Sequence, residues 1–457
     1  MDLREITNSL VVELTKFNTA AFDGDDFTGF STGRNGVQCG FNKQFKVYLA
    51  QLSREIYRNL GKPIEIEEKQ FRKILEESIV NLFTEDNLRI EEINSKENLK
   101  KIREELSNNL NNLNDEYIHY IPAKTAQLEL FSPIKLGCVE IFSIKHWLEK
   151  VDYSELAKER YPGNTEQNKI WKELVIRKLS NEEINLEGIA KDIFRILEGN
   201  NAVLKVKVKG YERELSKKFG NILAKSVLDM LSLHIGSRRI FFKQILQADR
   251  YWPKMTFTLM GDDKHLGGPG FKLSEQHFQI FKDEIQLKEY RAMLNEFLPY
   301  FENILDGLTN KDNCMYPKLA NKWIYALNWY AEGIRESNDA IAVAKLASCL
   351  DTLSHGSKIS GIKQLLRNIF DREDHNILFN IEGNQKITIH EFAKRVYEEG
   401  RSRILHGTID NLLESFQADK ERLIYAGRIV LLECAERLSQ YDGEDSEHAF
   451  KTMKRKN

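Results

Sequence analysis

Residues 397–407 read YEEGRSRILHG and lie near the end of a C-terminal stretch with helical apolar spacing throughout. Arg401 is followed by the polar Ser402, and His406 comes five positions after the arginine. Gly407 stands where an α-helix would end on a left-handed residue. The motif therefore predicts a helix that ends at His406 and has charged and polar side chains near its C-terminus.

The side chains of this motif suit cleavage of RNA without a metal. A neutral imidazole near pH 7 can accept a proton, and a guanidinium can hold a phosphate through two parallel hydrogen bonds. His406 would help the ribose 2′-hydroxyl attack the adjacent phosphorus, and an arginine would stabilise the developing charge. The alternative is an ordinary surface, in which Arg401 and Arg403 form ion pairs. Their partners would be Glu398 or Glu399, and His406 would cap the helix end.

Helix geometry bears on which arginine acts with the histidine. At about 100° per residue, Arg401 and His406 lie about 140° apart, whereas Arg403 and Ser402 lie about 60° and 40° from His406. A straight helix would pair His406 with Arg403 or Ser402. Arg401 can take part if the helix is irregular near Gly400 or if its long side chain reaches around.

Composition predicts a folded protein of about two to four domains. The chain has 457 residues, 41% of them hydrophobic, and 67 Lys and Arg against 69 Asp and Glu. Because the net charge is only -2, nucleic-acid binding would depend on a local basic surface. The five cysteines are far apart and form no C-x-x-C pair, which predicts reduced, mostly buried thiols.

No apolar run approaches the ~20 residues needed to span a bilayer, and residues 1–18 are too acidic for a signal peptide. The sequence therefore predicts a cytoplasmic protein that does not enter a membrane.

Residues 1–120 are expected to be helical, with a glycine-rich loop between two of the helices. That loop lacks the Lys followed by Ser or Thr that a phosphate-binding loop requires. A stripe formed by Leu99, Ile102, Leu106, Leu110 and Leu113 predicts an amphipathic helix later in the region.

Residues 121–273 have a mixed pattern that predicts an α+β domain. Leu204, Val206 and Val208 alternate with lysines at 205, 207 and 209, as in a strand with one buried face. Those lysines contact phosphates, form a solvated face or protect an edge strand against aggregation. From residue 274 the pattern is helical, with helices predicted at 274–305, 318–336, 339–354, 358–370, 388–406 and 419–440. Thr388 and Glu391 have the spacing of a capping box.

The last ~140 residues resemble the HEPN superfamily of helical RNases and RNA-binding proteins, in particular its Apea-like branch. The resemblance includes RSRILHG as the Arg, polar residue, three variable residues and His signature, and the two helices before it. There, Leu350, Asp351 and Leu353 are similar to the acid between leucines of the family, which more often has Glu at this place. The resemblance implies a mainly α fold whose residues 274–457 form a HEPN-like bundle.

The resemblance also implies functional roles for the motif residues. Arg401 and His406 would be catalytic, whereas Ser402, Arg403 and Asp351 would bind the RNA substrate, with no metal or other cofactor. The chain would pair as a homodimer through the C-terminal bundle, with an antitoxin or trigger-sensing partner possible. The predicted function is a metal-independent endoribonuclease of an anti-phage or toxin system. In the alternative, the bundle is a non-catalytic RNA-binding or dimerisation module, and the N-terminal half performs the function.

Overall fold

The computed structural model is mainly helical, as the sequence predicts. It describes residues 2–19, 26–59, 65–89, 95–113, 116–131, 133–249, 255–260, 262, 264–265, 270–273, 280–281, 283–311, 313–380, 386–409, 411 and 413–455. Two compact units are present. One consists of Met1–Tyr117 and Val208–Phe219, and the other of Ile118–Lys207 and Gly220–Asn457. The division into domains at 120 and 273 stays a prediction.

The first unit has one apolar core between four helices and a hairpin. Its elements are α1 (Leu3–Thr19), β1 (Phe27–Thr32), β2 (Gln38–Asn42), α2 (Lys43–Asn59), α3 (Glu68–Thr84) and α4 (Ser95–Asn111). The predicted stripe on α4 is confirmed, because Leu99, Ile102, Leu106 and Leu110 are buried and Leu113 packs against them.

The prediction of a glycine-rich loop up to Gly40, with helix from Phe41, is wrong for residues 27–42, which form a hairpin. β1 and β2 pair antiparallel, from Phe27 with Asn42 to Thr32 with Gln38. The glycines serve the hairpin itself, since the register shifts beside Gly29 and Gly36 takes a φ of +82° in the turn. Residues 20–25 lie outside the described residues.

The second unit begins with a five-stranded sheet in the order β4-β5-β6-β3-β7. Its strands are β3 (Glu116–Lys124), β4 (Ile134–Leu136), β5 (Val139–Ser143), β6 (Ala202–Lys209) and β7 (Ile245–Leu246). The helices here are α5 (Ile144–Lys150), α6 (Glu155–Arg160), α7 (Thr165–Lys169), α8 (Trp171–Leu179), α9 (Gly188–Leu197), α10 (Arg213–Ile235) and α11 (Arg238–Lys243). Three of these elements are shared, because residues 116–117 of β3, 208–209 of β6 and 213–219 of α10 belong to the first unit. A separate hairpin pairs β8 (Met255–Thr258) with β9 (Gly270–Leu273).

The alternating strand predicted at 204–208 is confirmed as β6. Leu204, Val206 and Val208 are buried, and Lys207 is exposed. Because β6 lies between β5 and β3, the interpretation of its lysines as protection for an edge strand is wrong. Lys205 lies opposite Glu140 on β5 and pairs with its carboxylate at 3.4 Å.

The C-terminal half of the second unit contains the predicted succession of helices. They are α12 (Glu284–Thr309), α13 (Pro317–Arg335), α14 (Asp339–Leu353), α15 (Lys358–Phe370), α16 (Ile389–Lys394), α17 (Arg403–Leu405) and α18 (Gln417–Ser439). α12 begins later than the predicted 274, with Asp283 as its N-cap. A hairpin of β10 (Ile377–Asn380) and β11 (Lys386–Thr388), which the sequence did not predict, precedes α16.

The aromatic residues of α13 belong to the core of this bundle. Trp323 is fully buried and donates its indole N–H to the carbonyl of Leu431 at 2.9 Å. Tyr330 is buried as well, and its hydroxyl donates to the carbonyl of Ile424 at 2.9 Å. α13 therefore packs against α18 with the polar atoms of both aromatic side chains hydrogen-bonded.

A buried ion pair links α10 to α13. Asp229 is 2% exposed, and Arg335 binds both of its carboxylate oxygens. The guanidinium also donates to the carbonyls of Phe241 at 2.9 Å and Gln244 at 3.4 Å. The positive charge of Arg335 thus compensates the buried negative charge of Asp229, and these contacts hold the Arg335 side chain in one position.

The five cysteines form no disulfide, and Cys39, Cys349 and Cys434 are buried, as predicted. Among the described residues, no helix combines the length and apolar character needed to cross a membrane.

Near the end of α10, His234 packs against Phe297, with ring centroids 4.7 Å apart. Burial and the nearby charge of Arg428 lower the pKa of His234 to about 4.

We expect this histidine to make stability depend on pH. An unfolded histidine has a pKa of about 6.5, so as the pH falls from there towards 4 the unfolded chain binds a proton that the native chain excludes. The free energy of unfolding should therefore fall in this range, as measured by urea unfolding at pH 7 and pH 5. His234→Phe should show a smaller fall than wild type, whereas His390→Gln, at an exposed position, should not. Equal falls in wild type and His234→Phe would contradict this assignment.

Candidate active site

The predicted motif lies on one helical run that starts at α16 and ends with α17. Thr388 and Glu391 form the predicted capping box at its start, with the Glu391 backbone N–H donating to the Thr388 hydroxyl at 3.2 Å. Between the two α-helices, Arg395–Ser402 is π-helical, so its hydrogen bonds join residues five apart. The helix is thus irregular near Gly400, which is one of the two conditions considered from the sequence for Arg401 to take part.

Gly400 brings this π-helical segment close to α14. It is buried, and a Cβ at this position would lie 3.0 Å from Val343 Cγ1 and 3.2 Å from the carbonyl oxygen of Arg395. The first contact is closer than most side chains tolerate, so glycine at 400 permits the approach of the two helices. Arg401 follows directly and reaches polar side chains of α14.

Arg401 is bound by two side chains one turn apart on α14. Its Nε donates to Ser348 Oγ at 3.1 Å, and its Nη2 lies 3.4 Å from Asp351 Oδ2. The guanidinium also lies over the ring of Tyr397, 5.6 Å from the centroid. These contacts fix the guanidinium while leaving its side chain about a quarter exposed.

Asp351 is the acid that the sequence grouped with the motif, and the structure brings it to Arg401. Burial raises the pKa of its carboxyl, and the positive charge of Arg401 opposes that rise. The Oδ1 atom is buried without a hydrogen-bond partner among the described residues. Asp351 therefore contacts Arg401, the predicted catalytic arginine. The resemblance implies instead that Asp351 binds the RNA substrate.

Arg403 is directed to a different carboxylate. Its two terminal nitrogens donate to Glu414 Oε1 and Oε2 at 3.2 and 3.1 Å. In these contacts, Arg401 and Arg403 pair with Asp351 and Glu414. The alternative from the sequence expected Glu398 or Glu399 as their partners. A phosphate held by Arg403 would have to share or replace this bidentate pair.

His406 ends the helical run on an exposed surface. The backbone N–H of His406 donates to the carbonyl of Ser402 at 3.0 Å. Gly407 has the predicted left-handed conformation, with a φ of +67°, and Thr408 N donates to the carbonyl of Arg403 at 2.9 Å. Within the described residues, the His406 side chain makes no hydrogen bond, ion pair or ring contact, so the structure does not join it to Arg401.

A second cluster of titratable side chains follows Asp351 by one turn, and the sequence gave no indication of it. His355 Nδ1 lies 2.5 Å from Lys322 Nζ and 2.8 Å from Glu447 Oε2. The rings of His355 and His448 are in edge contact, with centroids 4.2 Å apart. Burial lowers the pKa of Lys322, and burial together with the neighbouring cations lowers that of His355.

This cluster can hold or release a proton, because one ring nitrogen faces both an ammonium and a carboxylate. His355 has a positive φ of 58°, and the backbone N–H of the following Gly356 donates to the carbonyl of Asp351 at 2.9 Å. Its members come from α13, from the end of α14 and from the C-terminal segment after α18, so no local sequence pattern unites them.

Across the described residues, His, Cys, Asp and Glu side chains nowhere gather in a group of three or more that could hold a metal ion. Comparison with protein-family models, curated proteins and solved structures gave no match for this chain. Its likeness to the HEPN superfamily therefore rests on the motif and the helices around it, and stays a proposal.

Proposed function

We propose that this chain is a metal-independent endoribonuclease of the HEPN type, acting in the cytoplasm as an anti-phage or toxin effector. The main support is the environment of Arg401. Its guanidinium is fixed by Ser348 and Asp351 yet remains partly exposed, and it lies on the same helical run as the exposed His406. A fixed, accessible guanidinium is suited to a phosphate that gains charge during reaction.

Cleavage would use the substrate's own 2′-hydroxyl. His406 removes the hydroxyl proton, the 2′-oxygen forms a bond to the adjacent phosphorus, and the bond from phosphorus to the 5′-oxygen breaks. The leaving 5′-oxygen takes up a proton and becomes a hydroxyl. The upstream product therefore ends in a 2′,3′-cyclic phosphate, and no atom of water or metal enters this step.

The test is incubation of the purified chain with total cellular RNA in EDTA, followed by mapping of the product ends. We expect cleavage that leaves 2′,3′-cyclic phosphate and 5′-hydroxyl ends. DNA and RNA methylated at the 2′-oxygen should not be cut, because neither has the attacking hydroxyl. Activity that is abolished by EDTA and restored by a divalent ion would contradict the proposal.

A non-catalytic RNA-binding or dimerisation module remains the second candidate. Two observations favour it: Arg403 is already paired with Glu414, and His406 has no side-chain contact with Arg401 within the described residues. Under this reading, RNA would bind without being cut, and the ends of every RNA would remain unchanged in the same assay.

The cleavage mechanism also calls for a second proton-transfer group, because one must accept the 2′-hydroxyl proton while another donates to the 5′-oxygen. A homodimer joined through the C-terminal bundle, with both copies of His406 in one cleft, would supply both groups. We expect light scattering at micromolar concentration to give the mass of a dimer. A monomer that retains RNase activity would exclude this arrangement.

A further inference from the structure

A cavity of about 500 Å³ lies beside the five-stranded sheet of the second unit. We call it the sheet cavity and define it by Tyr120, Glu140, His146, Trp147, Lys150 and Lys205. Its volume falls within the range of about 300 to 1,000 Å³ that is usual for small-molecule sites. None of these residues belongs to the helices around Arg401, so the cavity is separate from the proposed cleavage site.

Aromatic rings form one side of the sheet cavity. Tyr120 on β3 is 43% exposed and meets Trp147 on α5 edge-on, with centroids 5.8 Å apart and an interplanar angle of 61°. This contact supports the Tyr120 ring while leaving much of it accessible. An exposed aromatic ring can stack on any of the nucleobases, because every base has a flat π-face.

Trp147, the second aromatic residue of this wall, has an unused hydrogen-bond donor. The residue is only 8% exposed, and its indole nitrogen is buried with no acceptor among the described residues. A buried indole N–H normally has a partner. A ligand oxygen or ring nitrogen that enters beside Trp147 would provide one after a small shift of the ring.

The charged residues of the sheet cavity complement a nucleotide. Lys205 and Lys150 are cations suited to a phosphate, and Glu140 is a carboxylate that can only accept hydrogen bonds when ionised. Lys205 pairs with Glu140 at 3.4 Å, so both side chains are already positioned without a ligand. The exposed Lys207 follows on the same face of β6, because alternate residues of a strand point the same way.

We propose that the sheet cavity binds a nucleotide, with its base against Tyr120 and its phosphate at Lys205 and Lys150. Glu140 would accept a hydrogen bond from an amino or imino group of the base. The nucleotide is either part of single-stranded RNA or a free mononucleotide, since both offer a base and a phosphate. This site goes beyond the cleavage proposal and does not require that RNA be cut.

The test uses the full chain and two probes that cannot be cleaved through a 2′-hydroxyl. One is a fluorescent single-stranded 2′-O-methyl oligonucleotide, and the other is adenosine monophosphate, measured by anisotropy and calorimetry respectively. Tyr120→Ala should weaken binding about tenfold to hundredfold, the loss expected for one base–aromatic stack. Tyr120→Phe should bind like wild type, because the stacking face is kept.

Lys205→Ala should weaken binding and reduce the dependence of affinity on salt, because one phosphate contact is lost. Lys191→Ala is the matched control, since Lys191 is exposed on α9 and does not line the cavity. The oligonucleotide binding tightly while the mononucleotide does not would identify an RNA strand as the ligand. Comparable binding of both would identify a free nucleotide.

Binding should also be measured in an Arg401→Ala background, so that the proposed cleavage cleft does not contribute. A loss caused by Tyr120→Ala that persists there supports the sheet cavity even if RNA is never cut. No binding of either probe, or equal affinities of wild type, Tyr120→Ala and Lys205→Ala, would overturn the inference. Circular dichroism of Tyr120→Ala checks that the fold is kept.

Discussion

Replacing His406 with Ala is expected to lower the rate of RNA cleavage by about 10² to 10⁴, the usual contribution of a positioned acid or base. The imidazole is the proton-transfer group of the proposed reaction, and alanine leaves no titratable atom in its place. His406 is exposed, and within the described residues its side chain makes no hydrogen bond, ion pair or ring contact, so its loss should not change stability. Single-turnover cleavage of a defined RNA, with unfolding measured in parallel, checks both expectations.

His390→Ala is a matched control, because His390 is also exposed and lies on α16 of the same helical run. It should cut RNA at the wild-type rate.

Arg401→Ala should lower the cleavage rate by about 10² to 10³, because the developing charge on the phosphate is no longer stabilised. Arg403→Ala should mainly weaken RNA binding and recover partly at low salt. Full activity in His406→Ala would refute the assigned role.

Arg335→Ala is expected to lower the free energy of unfolding by about 3 to 5 kcal/mol, because it leaves Asp229 buried without its counter-ion. The substitution also leaves the carbonyls of Phe241 and Gln244 without the guanidinium donor. Such a loss is a large part of the total stability of a domain. Urea unfolding of wild type and variant at pH 7 measures it.

The half-exposed pair of Arg177 and Glu182, 2.8 Å apart, provides the comparison. Arg177→Ala should cost at most about 1 kcal/mol, as is typical of surface ion pairs. In a chain that already carries Asp229→Leu, Arg335→Met should lower the free energy of unfolding far less than Arg335→Ala lowers it in the wild type. The reason is that no charge is left buried. A loss below 1 kcal/mol in Arg335→Ala itself would contradict the assigned role of the pair.

The helices of the bundle were predictable because their signals are local. Apolar residues repeat within each helix, and the capping box of Thr388 and Glu391 spans four consecutive residues. The hairpin at 27–42 was missed because the same glycines suit a loop or a turn, and only pairing with a partner strand distinguishes the two. The lysines of β6 were predicted to share a face, but the position of that strand inside the sheet depends on neighbours far away in the chain.

The candidate site was only partly predictable for a related reason. Arg401, His406 and Asp351 could be selected from the sequence because a short motif and a flanking pattern contain them. Ser348, the residue that binds Arg401 Nε, lies 53 positions away, and nothing in its surroundings marks it. The cluster of Lys322, His355 and Glu447 is likewise formed by the packing of separate segments, which a motif cannot encode.

The π-helical turns at Arg395–Ser402 also make the motif sensitive to the length of the chain. A π-helical segment contains one residue more than the α-helix that would cover the same turn. Removal of a single residue between Lys394 and Arg401 would let these turns close as an α-helix, and the run could remain helical. If α17 kept its place, the residues before the deletion would turn by about 100° about the axis. The spacing from the capping box to Arg401 is therefore part of the motif, and homologues are expected to vary in residue type here more readily than in length.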